Sequence, residues 1–296
     1  MKKETIFTGA ATAIVTPMNP QGVDYPAFER LLKWQVAQGI DALVICGTTG
    51  ESSTLTDEEH RAVLQFALDT VGGRVPMIAG TGSNDAAYAM ELSRFACDIG
   101  YDAVLLVTPY YNKTTQKGLV SFFSTIADAC TKPVILYNVP SRTGVNIEPA
   151  TYAKLAEHPM IRGIKEAGGN ISKIVETAAL VGDKLDIYSG NDDQIVPIMA
   201  CGGKGVISVL SNVLPAETSL LCKKFFHGDV AGAMEMQKQY LPLINALFCE
   251  VNPIPAKAAT AAMGYGENYL RLPLVPMDKE HEEVLLACMR EVGVQV

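Results

Sequence analysis

Ile161-Arg162-Gly163-Ile164-Lys165-Glu166-Ala167 is a short, largely apolar run that closes on a lysine. A lysine rarely finishes a buried strand, because its ammonium loses hydration there and desolvation favours the neutral amine. A neutral amine is a nucleophile that forms a Schiff base with a carbonyl carbon. The alternative is an ordinary surface role, with Lys165 paired to Glu166 or reaching solvent along its aliphatic stem. The surroundings of the run decide between the two. If it is one stave of a parallel β/α barrel, its C-terminal end opens where such barrels do chemistry.

The same kind of run recurs along the chain. Strands are predicted at Thr12–Thr16, Ala42–Gly47, Pro76–Gly80, Ala103–Thr108, Pro133–Asn138, Ile161–Lys165, Leu185–Ser189 and Gly205–Val209, with stretches of helical periodicity between them. Nearly all are apolar throughout, as parallel strands covered by helices must be. Thr56-Asp57-Glu58-Glu59 has the form of a capping box ahead of a helix through Val71, and Asn84-Asp85 caps a helix running to Ile99. Gly39, Gly72-Gly73 and Gly100 end helices just before strands. Spacings of roughly 20 to 35 residues suit βα units. Eight such units predict an α/β fold, a (β/α)8 TIM barrel. A doubly wound sheet would need a phosphate fingerprint after the first strand, and Pro17-Met18-Asn19-Pro20 is not one. Beyond Ser211 the pattern is helical, over Leu214–Phe226, Val230–Phe248, Pro253–Met263 and Lys279–Val292. The expected division is a barrel over residues 1–226 and a small C-terminal helical domain over 227–296, suited to subunit contacts.

Composition narrows the function. The chain has 296 residues, 48% of them hydrophobic, which is ample for one large barrel core. A net charge of −8 without basic clusters argues against a nucleic-acid partner, and an anionic substrate would need local positive charge. The seven cysteines are scattered without zinc spacing and read as small core residues of a reducing compartment. No apolar stretch is long enough for a membrane span, and Met1–Phe7 does not resemble a signal peptide. The expectation is a soluble, cytoplasmic protein. The four histidines are dispersed and no metal is expected.

In such a barrel, chemistry collects where the strands run into the following loops. The second strand ends in Gly47-Thr48-Thr49-Gly50-Glu51, either an anion-binding turn or an ordinary strand-to-loop turn. The fourth ends in Thr108-Pro109-Tyr110-Tyr111-Asn112. Adjacent side chains on extended backbone point opposite ways, so one tyrosine can face its own barrel while the other crosses an interface, unless both are core aromatics. The fifth ends in Tyr137-Asn138-Val139-Pro140-Ser141-Arg142-Thr143-Gly144. Tyr137, one strand before Lys165, is placed to shuttle protons. Arg142 is either a carboxylate receptor or half of a surface ion pair. Tyr188-Ser189-Gly190-Asn191-Asp192 and Gly205-Val206-Ile207-Ser208 are weaker signals, with glycines that allow close approach to a ligand.

Taken together, these motifs make the whole chain resemble the dihydrodipicolinate synthase branch of the class I, pyruvate-dependent aldolases. The resemblance implies condensation of pyruvate with L-aspartate 4-semialdehyde on the route to diaminopimelate and lysine, with no cofactor. It implies a Schiff base at Lys165, a proton relay of Tyr137, Thr48 and Tyr111, and Tyr111 donated into a neighbouring subunit. Thr49 would hold the pyruvate carboxylate, Arg142 would receive that of the semialdehyde, and Gly190 and Ile207 would line the pocket through backbone. A homo-oligomer follows, commonly a tetramer built as a dimer of dimers. Ser52, Ser53, His60, Asn84 and Tyr110 match the family's lysine-inhibition site. Asp57 stands where histidine is usual and Tyr88 where glutamate is usual, so lysine inhibition is expected to be weak or absent. The rival is an N-acetylneuraminate lyase or 2-keto-3-deoxy sugar acid aldolase on the same barrel, which lacks the Ser-Arg-Thr-Gly loop in this form.

Overall fold

The structure, a computed structural model, describes residues 5–296. In chain order the first elements are β1 (Gly9–Ala13), a hairpin of β2 (Met18–Asn19) and β3 (Gly22–Val23), α1 (Tyr25–Ala37), β4 (Ala42–Ile45), α2 (Asp57–Val71), β5 (Met77–Gly80) and α3 (Ala86–Ile99). Then come β6 (Ala103–Val107), α4 (Gln116–Asp128), β7 (Val134–Asn138), α5 (Pro140–Thr143), α6 (Pro149–Leu155), β8 (Ile161–Glu166) and α7 (Ile171–Val181). β9 (Asp186–Ser189), α8 (Ile195–Ala200), β10 (Gly205–Ser208), α9 (Pro215–Phe226), α10 (Val230–Leu247), α11 (Ile254–Ala262) and α12 (Lys279–Glu291) complete the chain. β1 and β4 to β10 close into one barrel, with neighbouring strands parallel, and the chain alternates strand and helix throughout it. This is the (β/α)8 architecture the alternation predicts.

Local chemistry explains most boundaries. The Thr56 hydroxyl accepts from the Glu59 N–H at 3.2 Å, while the Glu59 carboxylate accepts from the Thr56 N–H at 3.0 Å, so the predicted capping box is formed in both directions. Asp85 caps α3, and Gly72 and Gly100 close α2 and α3 at φ +60 and +108, a region only glycine enters freely. The first strand differs from expectation, since it runs from Gly9 to Ala13 and not from Thr12 to Thr16. Gly-Ala-Ala carries little strand propensity, so pattern alone hides its start. After Ala13 the ladder ends because the backbone finds other partners: the Val15 N–H donates to the Asn212 side chain at 3.1 Å.

By contacts the chain forms two compact units, one built on Pro76–Ile207 and one on Ala10–Val75 with Ser208–Val296. In the second, helices α10 to α12 share an apolar cluster with the segment that leads into α9; it includes Leu214, Tyr240, Leu247, Ala258, Leu285 and Met289. Burial of this kind contributes about 25 cal/mol per Å².

Candidate active site

In the Pro76–Ile207 unit, β7 and β8 run parallel with Tyr137 opposite Lys165 and Asn138 opposite Glu166. Strand alternation sends the first pair to one face and the second pair to the other. Lys165 is 5% exposed, and its Nζ lies 4.3 Å from the centre of the Tyr137 ring. Burial pulls the amine down to about 8 from 10.5, Asp192 opposes that shift and Arg142 reinforces it. A tenth or so of such an amine is neutral at pH 7, far more than for a lysine in water. The lysine and tyrosine that the sequence singles out are therefore neighbours, and the lysine has an enlarged fraction of the neutral form a nucleophile needs.

On the other face, the Glu166 carboxylate accepts from Asn138 Nδ2 at 3.0 Å, from the Tyr152 hydroxyl at 3.0 Å and from the Gly168 N–H at 2.7 Å. Burial raises the pKa of Glu166 while these donors pull it down. A cavity of about 270 Å³ opens beside Glu166, lined by Asn138, Asn146, Asn170 and Lys173 among others. Lys165 is not among its lining residues.

Gly190 follows β9 and donates its N–H to Glu166 O at 2.8 Å. A Cβ there would sit 2.8 Å from Ala167 Cβ and 3.2 Å from Lys165 Cε, so only glycine leaves the lysine stem undisturbed. Arg142 is exposed on α5, whose end is tied down by Thr143: Thr108 Oγ1 donates to Thr143 Oγ1 at 2.9 Å, and the Val145 N–H donates to the same oxygen at 3.2 Å. Ile207 is fully buried on β10. Tyr111 is 91% exposed and holds φ +69, an uncommon conformation for a bulky residue. Asn84 Nδ2 donates to the Tyr110 carbonyl at 3.2 Å, so these two members of the possible lysine site are brought together.

In the other unit, Thr48–Gly50 forms a turn of 3-10 helix directly after β4. Thr49 is 2% exposed, and its Oγ1 accepts from Asn252 Nδ2 at 3.0 Å. A Cβ on Gly50 would lie 3.1 Å from Thr16 Oγ1 and 3.2 Å from Ile14 O, so the turn packs tightly there and a side chain would require its neighbours to yield by a few tenths of an ångström. Ser52 and Ser53 continue the loop and His60 is buried on α2. Asp57 binds Arg61 on its own helix at 2.8 Å.

Some residues escape sequence reading. Asn252 and Lys257 bind the turn of residues 48–51, at Thr49 and Glu51, and the one signal available was Lys257 inside the apolar helix α11. The structure also gathers Glu250, Asp278 and His281. Glu250 Oε1 accepts from the Asp278 N–H at 3.0 Å and bonds His281 Nδ1 at 2.8 Å, an arrangement that holds the start of α12.

The sequence profile of the Dihydrodipicolinate synthetase family matches residues 6–292. A 4-hydroxy-tetrahydrodipicolinate synthase of Alkaliphilus oremlandii is 52% identical, over 98% of this chain and 100% of the relative. Among solved structures, the dihydrodipicolinate synthase of Aquifex aeolicus superposes with a TM-score of 0.96 at 41% identity, covering 98% of this chain and 99% of that one. The enzyme of Cyanidioschyzon merolae, solved with lysine bound, gives a TM-score of 0.93 at 37% identity, over 98% and 99% of the two chains.

Proposed function

The chain belongs to the dihydrodipicolinate synthetase family, and from that premise we propose how its residues carry out the work of a 4-hydroxy-tetrahydrodipicolinate synthase, a lyase of diaminopimelate and lysine biosynthesis. Lys165 is the nucleophile. Its neutral amine attacks the keto carbon of pyruvate, and loss of water gives an imine. The positive imine nitrogen acidifies the adjacent methyl group, which loses a proton to give an enamine. The enamine carbon attacks the aldehyde of L-aspartate 4-semialdehyde. The amine of the joined product then displaces Lys165 and closes the ring.

The observation that carries this reading is the buried, depressed amine of Lys165 held 4.3 Å from the Tyr137 ring. Tyr137, Thr48 and Tyr111 serve as the proton relay, a role in which each positioned hydroxyl contributes about 10²–10⁴-fold. Thr49 holds the pyruvate carboxylate, Arg142 receives that of the semialdehyde, and Gly190 and Ile207 line the pocket. We assign this chemistry to residues 1–226 and subunit contacts to the helices of 227–296. The exposed, strained Tyr111 is well suited to donation into a second subunit, consistent with a dimer of dimers acting in the cytoplasm. The relatives favour the synthase over an N-acetylneuraminate lyase or sugar acid aldolase.

Borohydride reduction in the presence of pyruvate is expected to place one adduct on Lys165, located by peptide mass. Lys165→Ala is expected to lose both the adduct and turnover. Turnover near the wild-type rate in that variant would overthrow the mechanism.

A further inference from the structure

We propose that Asn252 and Lys257 are positioning residues for the carboxylate-binding turn: Asn252 sets the Thr49 hydroxyl as a donor, and Lys257 fixes the turn through Glu51. The proposal rests on the reading of Thr49 as the residue that holds the pyruvate carboxylate.

Three observations carry it. The turn ends at Glu51, which is 3% exposed and holds φ 55, ψ 35, the left-handed region. A non-glycine residue persists there only when its surroundings over-determine it. The surroundings here are a buried ion pair: Lys257 Nζ lies 2.7 Å from Glu51 Oε1, and both side chains are at most 2% exposed. Glu51 Oε2 also accepts from the Arg271 N–H at 3.2 Å.

Beside this ion pair, Lys257 Nζ donates to Thr16 O at 2.7 Å and Tyr269 O at 3.0 Å. Thr16 is tied to the same turn, its hydroxyl donating to Gly50 O at 2.8 Å. A buried ion pair is a poor source of stability, since desolvation of both ions offsets their attraction and apolar replacements are often as stable. What the ion pair and its three further partners do supply is a fixed place for the turn.

Asn252 acts on one proton. A hydroxyl has a single proton and two lone pairs. Thr49 Oγ1 accepts the Asn252 amide N–H at 3.0 Å, so its own proton is directed elsewhere. A carboxylate ligand offers only acceptors and requires that proton. An aspartate at 252 would capture it and add a negative charge.

The test is steady-state kinetics with each substrate varied separately, on the full-length oligomer. Asn252→Ala is expected to raise the KM for pyruvate about tenfold or more, the range for a lost hydrogen bond to a charged group, with the KM for semialdehyde unchanged. Asn252→Asp is expected to be worse. If Asn252 works through the Thr49 hydroxyl, Thr49→Val with Asn252→Ala is no worse than Thr49→Val alone. The charge-neutral pair Glu51→Gln with Lys257→Met is expected to raise the same KM in a protein that still folds. An unchanged pyruvate KM in folded Asn252→Ala, or full additivity with Thr49→Val, overturns the role of Asn252. An unchanged pyruvate KM in the folded neutral pair overturns that of Lys257. Borohydride trapping in the wild type separates the two levels: no adduct on Lys165 sinks the functional reading itself, whereas a normal adduct with unaltered variants sinks only this inference.

Discussion

Two lysines in apolar elements show how one residue type takes opposite roles. Lys257 meets a carboxylate and two carbonyls; burial lowers its amine as well, but the Glu51 carboxylate opposes that shift. Lys165 has an aromatic ring and buried backbone around it, and its amine is pulled down to about 8. Imine formation needs the neutral amine, so kcat/KM for pyruvate is expected to rise with pH through about 8. Asp192 favours the ammonium, so Asp192→Asn is expected to move that limb to lower pH in a pH–rate profile. A limb that stays in place would contradict the assignment to Lys165. The same shift has a stability consequence. The folded amine titrates near 8 and the unfolded one near 10.5, so between those values the unfolded chain binds more protons and stability rises with pH.

At the scale of elements, β7 and β8 work as a two-faced device. One face presents Tyr137 and Lys165, and the other is locked by Asn138, Glu166 and Tyr152. The outer lock keeps the register that sets the inner pair opposite each other. Tyr152→Phe removes one hydrogen bond to a buried carboxylate and is expected to cost about 1.5–3 kcal/mol, measured by denaturant unfolding. A loss below about 0.5 kcal/mol would show that the lock does not bear on the fold. Some elements were legible in the sequence because their signals are local. The Thr56–Glu59 box and the Asp85 cap are each written within a span of four residues, and the structure forms both. The start of β1 lies earlier because Gly9 donates to the Lys204 carbonyl at 2.9 Å and Ala11 pairs with β4, which no local pattern shows.

At the scale of the whole molecule, the alternation of strand and helix predicts a closed barrel, and the barrel is closed. The resemblance leads to the expectation that Asp57 and Tyr88 weaken inhibition by lysine. Asp57 is engaged by Arg61 on its own helix, and position 88 carries a tyrosine. Initial rates are expected to change little in millimolar lysine, unlike what a strong inhibitor site would give. Strong inhibition in that assay would show that another carboxylate does the work.

The sequence by itself determined the fold class, the strand that carries Lys165 and the order of the motifs, because hydrophobic period and caps act over a few residues. Tertiary structure alone decided which polar groups become partners across the chain. Asn252 reaches Thr49 and Lys257 reaches Glu51 from about two hundred positions away. Such pairings depend on where packing removes water, since only burial makes an unpaired charge or amide costly enough to need its partner.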